Sequence, residues 1–403
     1  MPRLSPARKV AFQVLLRVET RSSYASELLN SSLAERLSTR DRGLAQELVM
    51  GCLRWQGQLD FLVRHFAGPP KRGPARFDPE VLVALRLGVY QLRFLQRVPP
   101  RAAVDQSVEM VKQAGKASAA GLVNAVLRKV TRDPVPMPGP ALYSTPPWLL
   151  ERWGAEIAAR NNERPATFVR LPPGSAPGNG RYLRSCAIVE RTTDLPVQDE
   201  ASQIVPYLLD ARGGHWVLDL CAAPGNKSAQ IAELAPAAII VAADRYPARL
   251  SLVSARLRVA LDGVQPLPLG RRFDRILVDA PCSGTGTVRR NPEIKWRLKP
   301  EDLPALAAKQ TALLENALAL LAPGGRLVYS TCSLEPEENE QVVEPFLARH
   351  KDLRLRPAAA ERDRLRPAFT EEGLALLGEP YFRALPSAHG ADGFFAAIFE
   401  RRL

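Results

Sequence analysis

The chain has no Cys-x-x-Cys pair, no long apolar run and no Gly-x-Gly-x-x-Gly. Each absence excludes something. The five cysteines, Cys52, Cys186, Cys221, Cys282 and Cys332, are odd in number and widely spaced, which argues against a disulfide framework and against a zinc site. They are then small buried hydrophobes or reactive thiols, and no metal is expected. No run of about 18 apolar residues occurs, so no transmembrane helix is expected. The opening MPRLSPARKV lacks the apolar stretch of a signal peptide, which makes the cytoplasm the expected location. The missing glycine fingerprint disfavours a nicotinamide dinucleotide. No heptad repeat points to obligate assembly.

What is present is a soluble-type composition of 403 residues, 46% hydrophobic. That length suggests two or three domains at roughly 150 residues each. The net charge is +13, and it is uneven: residues 1–140 hold 22 Lys/Arg against 11 Asp/Glu, while the remainder is close to neutral. A basic third beside a near-neutral remainder suggests a polyanion-docking module joined to a catalytic one.

Residues 5–132 show apolar residues at helical spacing in VAFQVLLRV (10–18), GLAQELVMGCLRW (43–55), VLVALRLGVYQLRFL (81–95) and AAVDQSVEMVKQA (102–114). Asp41 and Asp78 fit as N-caps, and GPPKRGPARFDP (68–79) reads as a loop. The proline-rich DPVPMPGP (133–140) is the expected boundary. From 215 the texture changes. Short apolar runs, WVLDL (216–220), IIVAAD (239–244), RILVDA (275–280), RLVYST (326–331) and FFAAIF (394–399), alternate with helical stretches at 226–235, 247–261, 302–321 and 336–349. Such runs predict a parallel sheet covered on both faces, hence a doubly wound α/β domain. Its ligands should sit beyond the carboxyl ends of the strands.

Three segments bring chemistry to that edge. The first strand runs from Asp219 into CAAPGNK (221–227), where small residues and a glycine let backbone approach a ligand. The second ends in Asp244, an acid suited to ribose hydroxyls. The segments FDRILVDAPCSGTGTVRRNPEIKW (273–296) and PGGRLVYSTCSLEPEENE (323–340) deliver Asp279, Cys282 and Cys332. Two cysteines on one rim without metal spacing suggest thiol chemistry. Arg289, Arg290, Lys295 and Trp296 suit phosphate contact and base stacking, or a loop whose Trp packs inward.

DAPCSGTG and STCS resemble motifs of the RNA cytosine-5 methyltransferases, and CAAPGNK resembles that family's methionine-binding loop. VQDEASQ (197–203) and DGFFAAIF (392–399) also match. DRGLAQELVMGCLRWQGQLD (41–60), LRLGVYQLRFL (85–95) and GLVNAVLRKV (121–130) resemble the NusB RNA-binding fold. The fusion is similar to the Sun/RsmB-type 16S rRNA cytosine-5 methyltransferases. The resemblance implies a NusB-like helical RNA-binding domain over 1–135, a small mixed α/β subdomain over 141–212, and a Rossmann-like methyltransferase domain over 213–403. It implies S-adenosylmethionine as cofactor and RNA, 16S rRNA foremost, as partner. It assigns Cys332 as nucleophile and Cys282 to release. It assigns Cys221, Ala222, Ala223, Pro224, Gly225, Asn226, Lys227, Asp244 and Asp279 to the cofactor pocket. From the residues alone, Asp279 could bond the cytosine edge or the methionine end. Lys227 could hold the methionine carboxylate or polarise the site.

Three departures stand out. Asn226 replaces the second glycine of the cofactor loop, where its tolerance of positive φ would preserve the turn. The family's acid for adenine, near the end of the third strand, is missing from VQPLPLGRRFD (264–274). Arg170, similar to the family's RNA-facing arginine, is followed by Leu171 and Pro172 rather than reaching an Asn. Two other readings stay open: a tRNA cytosine-5 methyltransferase, and a non-catalytic RNA-binding or assembly factor.

Overall fold

A computed structural model describes residues 4–21, 23–69, 77–190, 193–386 and 390–403; most of the expected loop at 68–79 lies outside them. The chain divides into two compact units, Met1–Glu163 with Val288–Arg297, and Arg164–Thr287 with Leu298–Leu403. The first compact unit thus runs past the expected boundary at 133–140 to Glu163. Residues 141–163, expected with the linking subdomain, carry the helix Pro147–Arg160 into the first unit.

The first unit is helical throughout its described residues. Its centre is the helix Pro79–Phe94, whose residues 83–91 are all buried. A helix apolar on every side needs enclosing neighbours. These are the helices Pro6–Thr20, Thr39–Arg54, Gln56–Ala67, Pro100–Gln113 and Ala120–Arg128. Gly51 allows the closest approach, since a Cβ there would overlap the Tyr90 ring. The buried cation on the central helix, Arg86, is held by Asp60 at 2.6 Å and Glu19 at 2.8 Å, as a buried charge must be. Asp78 occupies its N-cap position as expected, but Asp41 does not cap the helix Thr39–Arg54. Ser38 does: its hydroxyl accepts from Asp41 N, at the third helical position, and donates to the Asp41 carboxylate.

The segment Val288–Arg297 folds as part of this helical unit. The helix Thr39–Arg54 ends with carbonyls that have no partner of their own. Lys295 Nζ donates to Arg54 O and to Asn162 Oδ1, both at 2.9 Å, and Trp296 Nε1 donates to Leu53 O at 2.9 Å. Glu293 accepts from Ala25 N at 2.8 Å. Lys295 is fully buried, and burial followed by the charge of Arg54 pushes its pKa well below the usual lysine value. Lys295, Trp296 and Arg289 thus do not offer themselves to phosphates and bases. Arg289 is buried, and the Trp296 ring rests where a side chain on Gly57 would collide with it. The inward-packing alternative holds because helix-end carbonyls and a glycine gap meet their donors here.

The second unit opens with an antiparallel hairpin, β1 (Thr167–Arg170) and β2 (Cys186–Val189). The main sheet follows: β3 (Trp216–Asp219), β4 (Ile239–Asp244), β5 (Leu257–Ala260), β6 (Phe273–Asp279), β7 (Leu321–Thr331), β8 (Leu353–Arg356), β9 (Phe382–Ala384) and β10 (Phe394–Arg401). Its order is β5-β4-β3-β6-β7-β10-β8, with β9 also against β10. The first five strands are parallel, and β10 runs antiparallel to its neighbours. One face packs on the helices Glu200–Leu208 and Asn226–Leu234, the other on Asp302–Leu320 and Glu340–Arg349. This is the expected doubly wound architecture.

One expectation fails inside it. The stretch 247–261 is not a helix. It forms one turn, Pro247–Leu250, and then β5, because the edge of β4 offers Val241–Asp244 as ladder partners and tertiary pairing outweighs local propensity. We predict that Trp296→Ala lowers stability by roughly 1–3 kcal/mol. The loss should appear as faster amide exchange in Thr39–Arg54 and Gln56–Ala67, and unchanged exchange there would contradict the docking.

Candidate active site

The strands are added in one direction from β3 to β5 and in the other from β6 to β7. Loops leaving β3 and β6 therefore diverge and leave a crevice at their carboxyl ends. Every residue expected at the site lies on this edge. After Asp219 the chain runs through Cys221, Ala222 and Ala223, with Ala222 N donating to Ala243 O at 2.9 Å. It passes Pro224 and turns at Gly225, whose φ is +110° and where a Cβ would stand 3.0 Å from Val253 Cα. The left-handed position is thus still a glycine. Asn226 is the first residue of the helix Asn226–Leu234 and needs no positive φ, so its substitution leaves the turn intact.

Four carboxylates stand at or just past the carboxyl ends of these strands. Asp244, at the end of β4, accepts from Ala223 N at 3.1 Å and Tyr246 N at 2.9 Å. Asp279, at the end of β6, pairs with Lys227 at 2.6 Å and accepts from Ser330 Oγ at 2.7 Å. Lys227 also lies 5.3 Å from the centre of the Phe394 ring, a second restraint on its ammonium. Asp219 is 1% exposed. Its Oδ2 accepts from Ser228 Oγ at 2.5 Å, while Oδ1 has no hydrogen-bond partner. Burial pushes its pKa up to about 7, against the opposing Ser228 bond. The fourth, Asp262, follows β5; it accepts from Val264 N at 3.3 Å and faces Arg245 at 3.6 Å. A cavity of about 100 Å³ is lined by Ser202, Asp219, Cys221, Ala222, Ala223, Pro224, Asn226, Lys227 and Asp279.

The cysteines meet beside it. Cys282 Sγ and Cys332 Sγ are 3.4 Å apart, and both are partly accessible. Their loops are joined by Gly286 N donating to Cys332 O at 2.9 Å. Contact with Cys332, burial, and the charges of Cys332 and Glu338 push the Cys282 thiol well up. Cys221 is also pushed well up, by burial and then by Asp219, and behaves as an inert thiol in the loop.

A family model described as 16S rRNA methyltransferase RsmB/F matches residues 206–400, and one for the NusB family matches residues 5–132. The ribosomal RNA small subunit methyltransferase B of Yersinia pseudotuberculosis serotype O:1b is 34% identical, over 98% of this chain and 97% of its own. The chain belongs to the 16S rRNA methyltransferase RsmB/F family. The crystal structure of PH0851 matches with a TM-score of 0.76 at 23% identity, covering 99% of this chain and 100% of that one, a likeness of fold. A methyltransferase homolog from Pyrococcus horikoshii matches 65% of this chain and 97% of its own at 26% identity and a TM-score of 0.50.

For this RsmB/F family member two sequence expectations need correction. The acid at the third strand is not missing. The strand is β5 rather than anything within 264–274, and Asp262 stands just past its end, with Leu261 N donating to Asp244 O at 3.1 Å. Reading 247–261 as helix concealed it; the alternating LRVA followed by Leu-Asp-Gly was the signal. Arg170 does not face RNA. It is 4% exposed and forks onto Glu233 at 2.7 and 2.9 Å, with a further bond to Gln198 Oε1 at 2.6 Å. It braces the helix that follows the cofactor loop.

The raised Asp219 has a pH signature. Between about 4 and about 7 the native state keeps a proton that the unfolded chain, titrating near 3.9, has released. Stability from this group is therefore fully present below about 4 and lost as pH rises through 7. Asp219→Asn should flatten the fall in melting temperature of the second unit from pH 5 to 8 and raise it at pH 8; an unchanged slope would refute the assignment.

Proposed function

We propose that this chain transfers the methyl group of S-adenosylmethionine to C5 of a cytosine in RNA, 16S rRNA in particular, with Cys332 as nucleophile. The observation that carries this reading is the 3.4 Å sulfur contact between Cys282 and Cys332 at the carboxyl edge of the sheet. Binding RNA requires neither thiol.

The residues fit the cofactor. Asp219, Asp244, Asp262 and Asp279 face the crevice against the single cation Lys227 of the loop, which favours a ligand carrying positive charge on sulfur and amine. Gly225 keeps the loop free of side chains where backbone must come close. Asp279 and the 221–227 loop would hold the methionine end, Asp244 the ribose hydroxyls and Asp262 the adenine. Bound there, S-adenosylmethionine supplies an electrophilic methyl group. Asp262, just past the end of β5, supplies an acid where the family has its acid for adenine, which supports the catalytic reading over a non-catalytic one.

C5 of cytosine is a poor nucleophile. The Cys332 sulfur adds to C6, and the π pair of C5–C6 moves to C5, which can then take the methyl group. The hydrogen on C5 leaves as a proton to solvent water, its bonding pair restores the C5–C6 double bond, and the S–C6 bond breaks with its pair returning to the Cys332 sulfur. Cys282, protonated and in contact with the departing sulfur, assists this release. The base must leave any helical stack to reach the thiols.

Bisulfite sequencing of 16S rRNA from cells with and without the gene tests the reading. One 5-methylcytosine should vanish in the knockout and return with wild type but not with Cys332→Ala. An unchanged rRNA map with a lost tRNA mark would move the substrate to tRNA. Cys282→Ala should instead accumulate a covalent protein–RNA adduct, seen as a slow band on a denaturing gel; its absence would remove Cys282 from release.

A further inference from the structure

One position beyond each cysteine stands a serine, and both serines reach the same carboxylate. Glu338 is fully buried, in the turn that precedes the helix Glu340–Arg349. Its Oε1 accepts from Ser283 N at 2.8 Å and from Gln310 Nε2 at 2.9 Å. Its Oε2 accepts from the Ser333 hydroxyl at 2.5 Å and from the Ser283 hydroxyl. Gln310 Nε2 also donates to Pro281 O at 3.0 Å, so the residue before Cys282 is tied to the same cluster. The turn itself is fixed to β7. Tyr329 Oη donates to Glu338 O at 2.6 Å, Thr331 Oγ1 donates to Asn339 Oδ1 at 2.6 Å, and Asn339 Nδ2 donates to Ser333 O at 3.0 Å.

A buried carboxylate is costly unless its acceptors are filled. Here both oxygens are filled, and the donors come from three separate parts of the chain. Hydrogen bonds to a charged acceptor are shorter and roughly twice as strong as neutral ones, and a dry site strengthens them further. Other links join the two loops, such as Leu334 N to Thr285 Oγ1 at 2.9 Å and the Ser283–Ser333 hydroxyl contact at 3.1 Å. Glu338 is the group that holds the immediate neighbours of both sulfurs at once. It touches neither thiol and lies outside the crevice.

We infer that Glu338 is a positioning residue that sets the separation of the Cys282 and Cys332 sulfurs, and thereby the speed with which the second thiol acts on an adduct formed at the first. The role of the adduct rests on the proposed function; the separation does not. A trivalent arsenical can therefore read it without any RNA. Phenylarsine oxide bonds two thiols held close together, with loss of one water, and holds a single thiol far more weakly.

The test uses the full chain. Glu338→Ala should weaken phenylarsine oxide binding about tenfold or more and slow turnover about 100-fold, the scale of a 1 Å misplacement. The KM for RNA should change by less than about threefold, since substrate binding is not touched. Glu338→Gln should recover most of both losses. Its Oε1 still accepts, and its amide can donate to serine hydroxyls turned to receive it. A folded Glu338→Ala that binds the arsenical and turns over like wild type overturns the inference, as does a Gln variant no better than Ala. Should the Ala variant lose its cooperative melt, the double variant Ser283→Ala, Ser333→Ala carries the test. It removes two donors at little change in volume. The same direction of change in arsenical binding supports the inference, and unchanged binding overturns it. Turnover that survives Cys332→Ala would sink the proposed nucleophile while leaving the arsenical result standing.

Discussion

Between β3 and β6 the chain reverses the direction in which it adds strands, and the two loops leaving those strands must part. Parallel strands joined by right-handed crossovers leave no other route. The crevice is therefore a product of strand order before any particular side chain is considered. What the sequence adds is the content of four strand ends: Asp219 on β3, Asp244 on β4, Asp262 beyond β5 and Asp279 on β6. Cys282 and Cys332 reach the same place because β6 and β7 are neighbours in register, with Asp279 opposite Ser330. A slip of one residue there would turn one thiol away from the other.

The two edges of this sheet treat charge in opposite ways. At the amino ends, Glu361 is 1% exposed and accepts from Arg326, Arg356 and Arg364. Burial pushes its pKa up, yet these three arginines bring it down to about 2. Glu400 is shared by Arg326 and Arg354. Both glutamates are held by arginines there, and the result is rigidity. At the carboxyl ends Asp219 leaves one oxygen unpaired, and Lys227 is the single cation of the cofactor loop. A surplus of acceptors in a concave, partly dry place is an unfinished electrostatic arrangement. In the proposed reading a positively charged ligand completes it.

Much of this was legible in the sequence because parallel strands write themselves as uninterrupted apolar runs. WVLDL, IIVAAD and RILVDA each ended in the acid that the fold brings to the rim. The edge strand left only the short signal LRVA followed by Leu-Asp-Gly. Leu257 and Arg258 are exposed, so β5 carries no apolar run, and its neighbourhood read as helix. Asp262 was lost with it. The segment 289–296 misled for a different reason. Arginine, lysine and tryptophan in one loop have the composition of a nucleic-acid contact, but composition does not say which way a side chain points. Lys295 and Trp296 are spent on the open carbonyls at the end of the helix Thr39–Arg54. Arg170 misled likewise, because its partner Glu233 lies 63 residues away. Long-range pairs of this kind leave no local pattern.

Two thiols in contact cannot be equivalent. If one sulfur carries charge, the other is driven to keep its proton, since like charges at this distance oppose each other. Contact with the Cys332 sulfur and burial, with the charges of Cys332 and Glu338 behind them, push the Cys282 thiol up. Ser283 and Ser333, each one position past a cysteine, both donate to Glu338, so one carboxylate restrains both loops. In the proposed reaction Cys332 adds to the base, and the Cys282 sulfur in contact with it faces the bond that must later break.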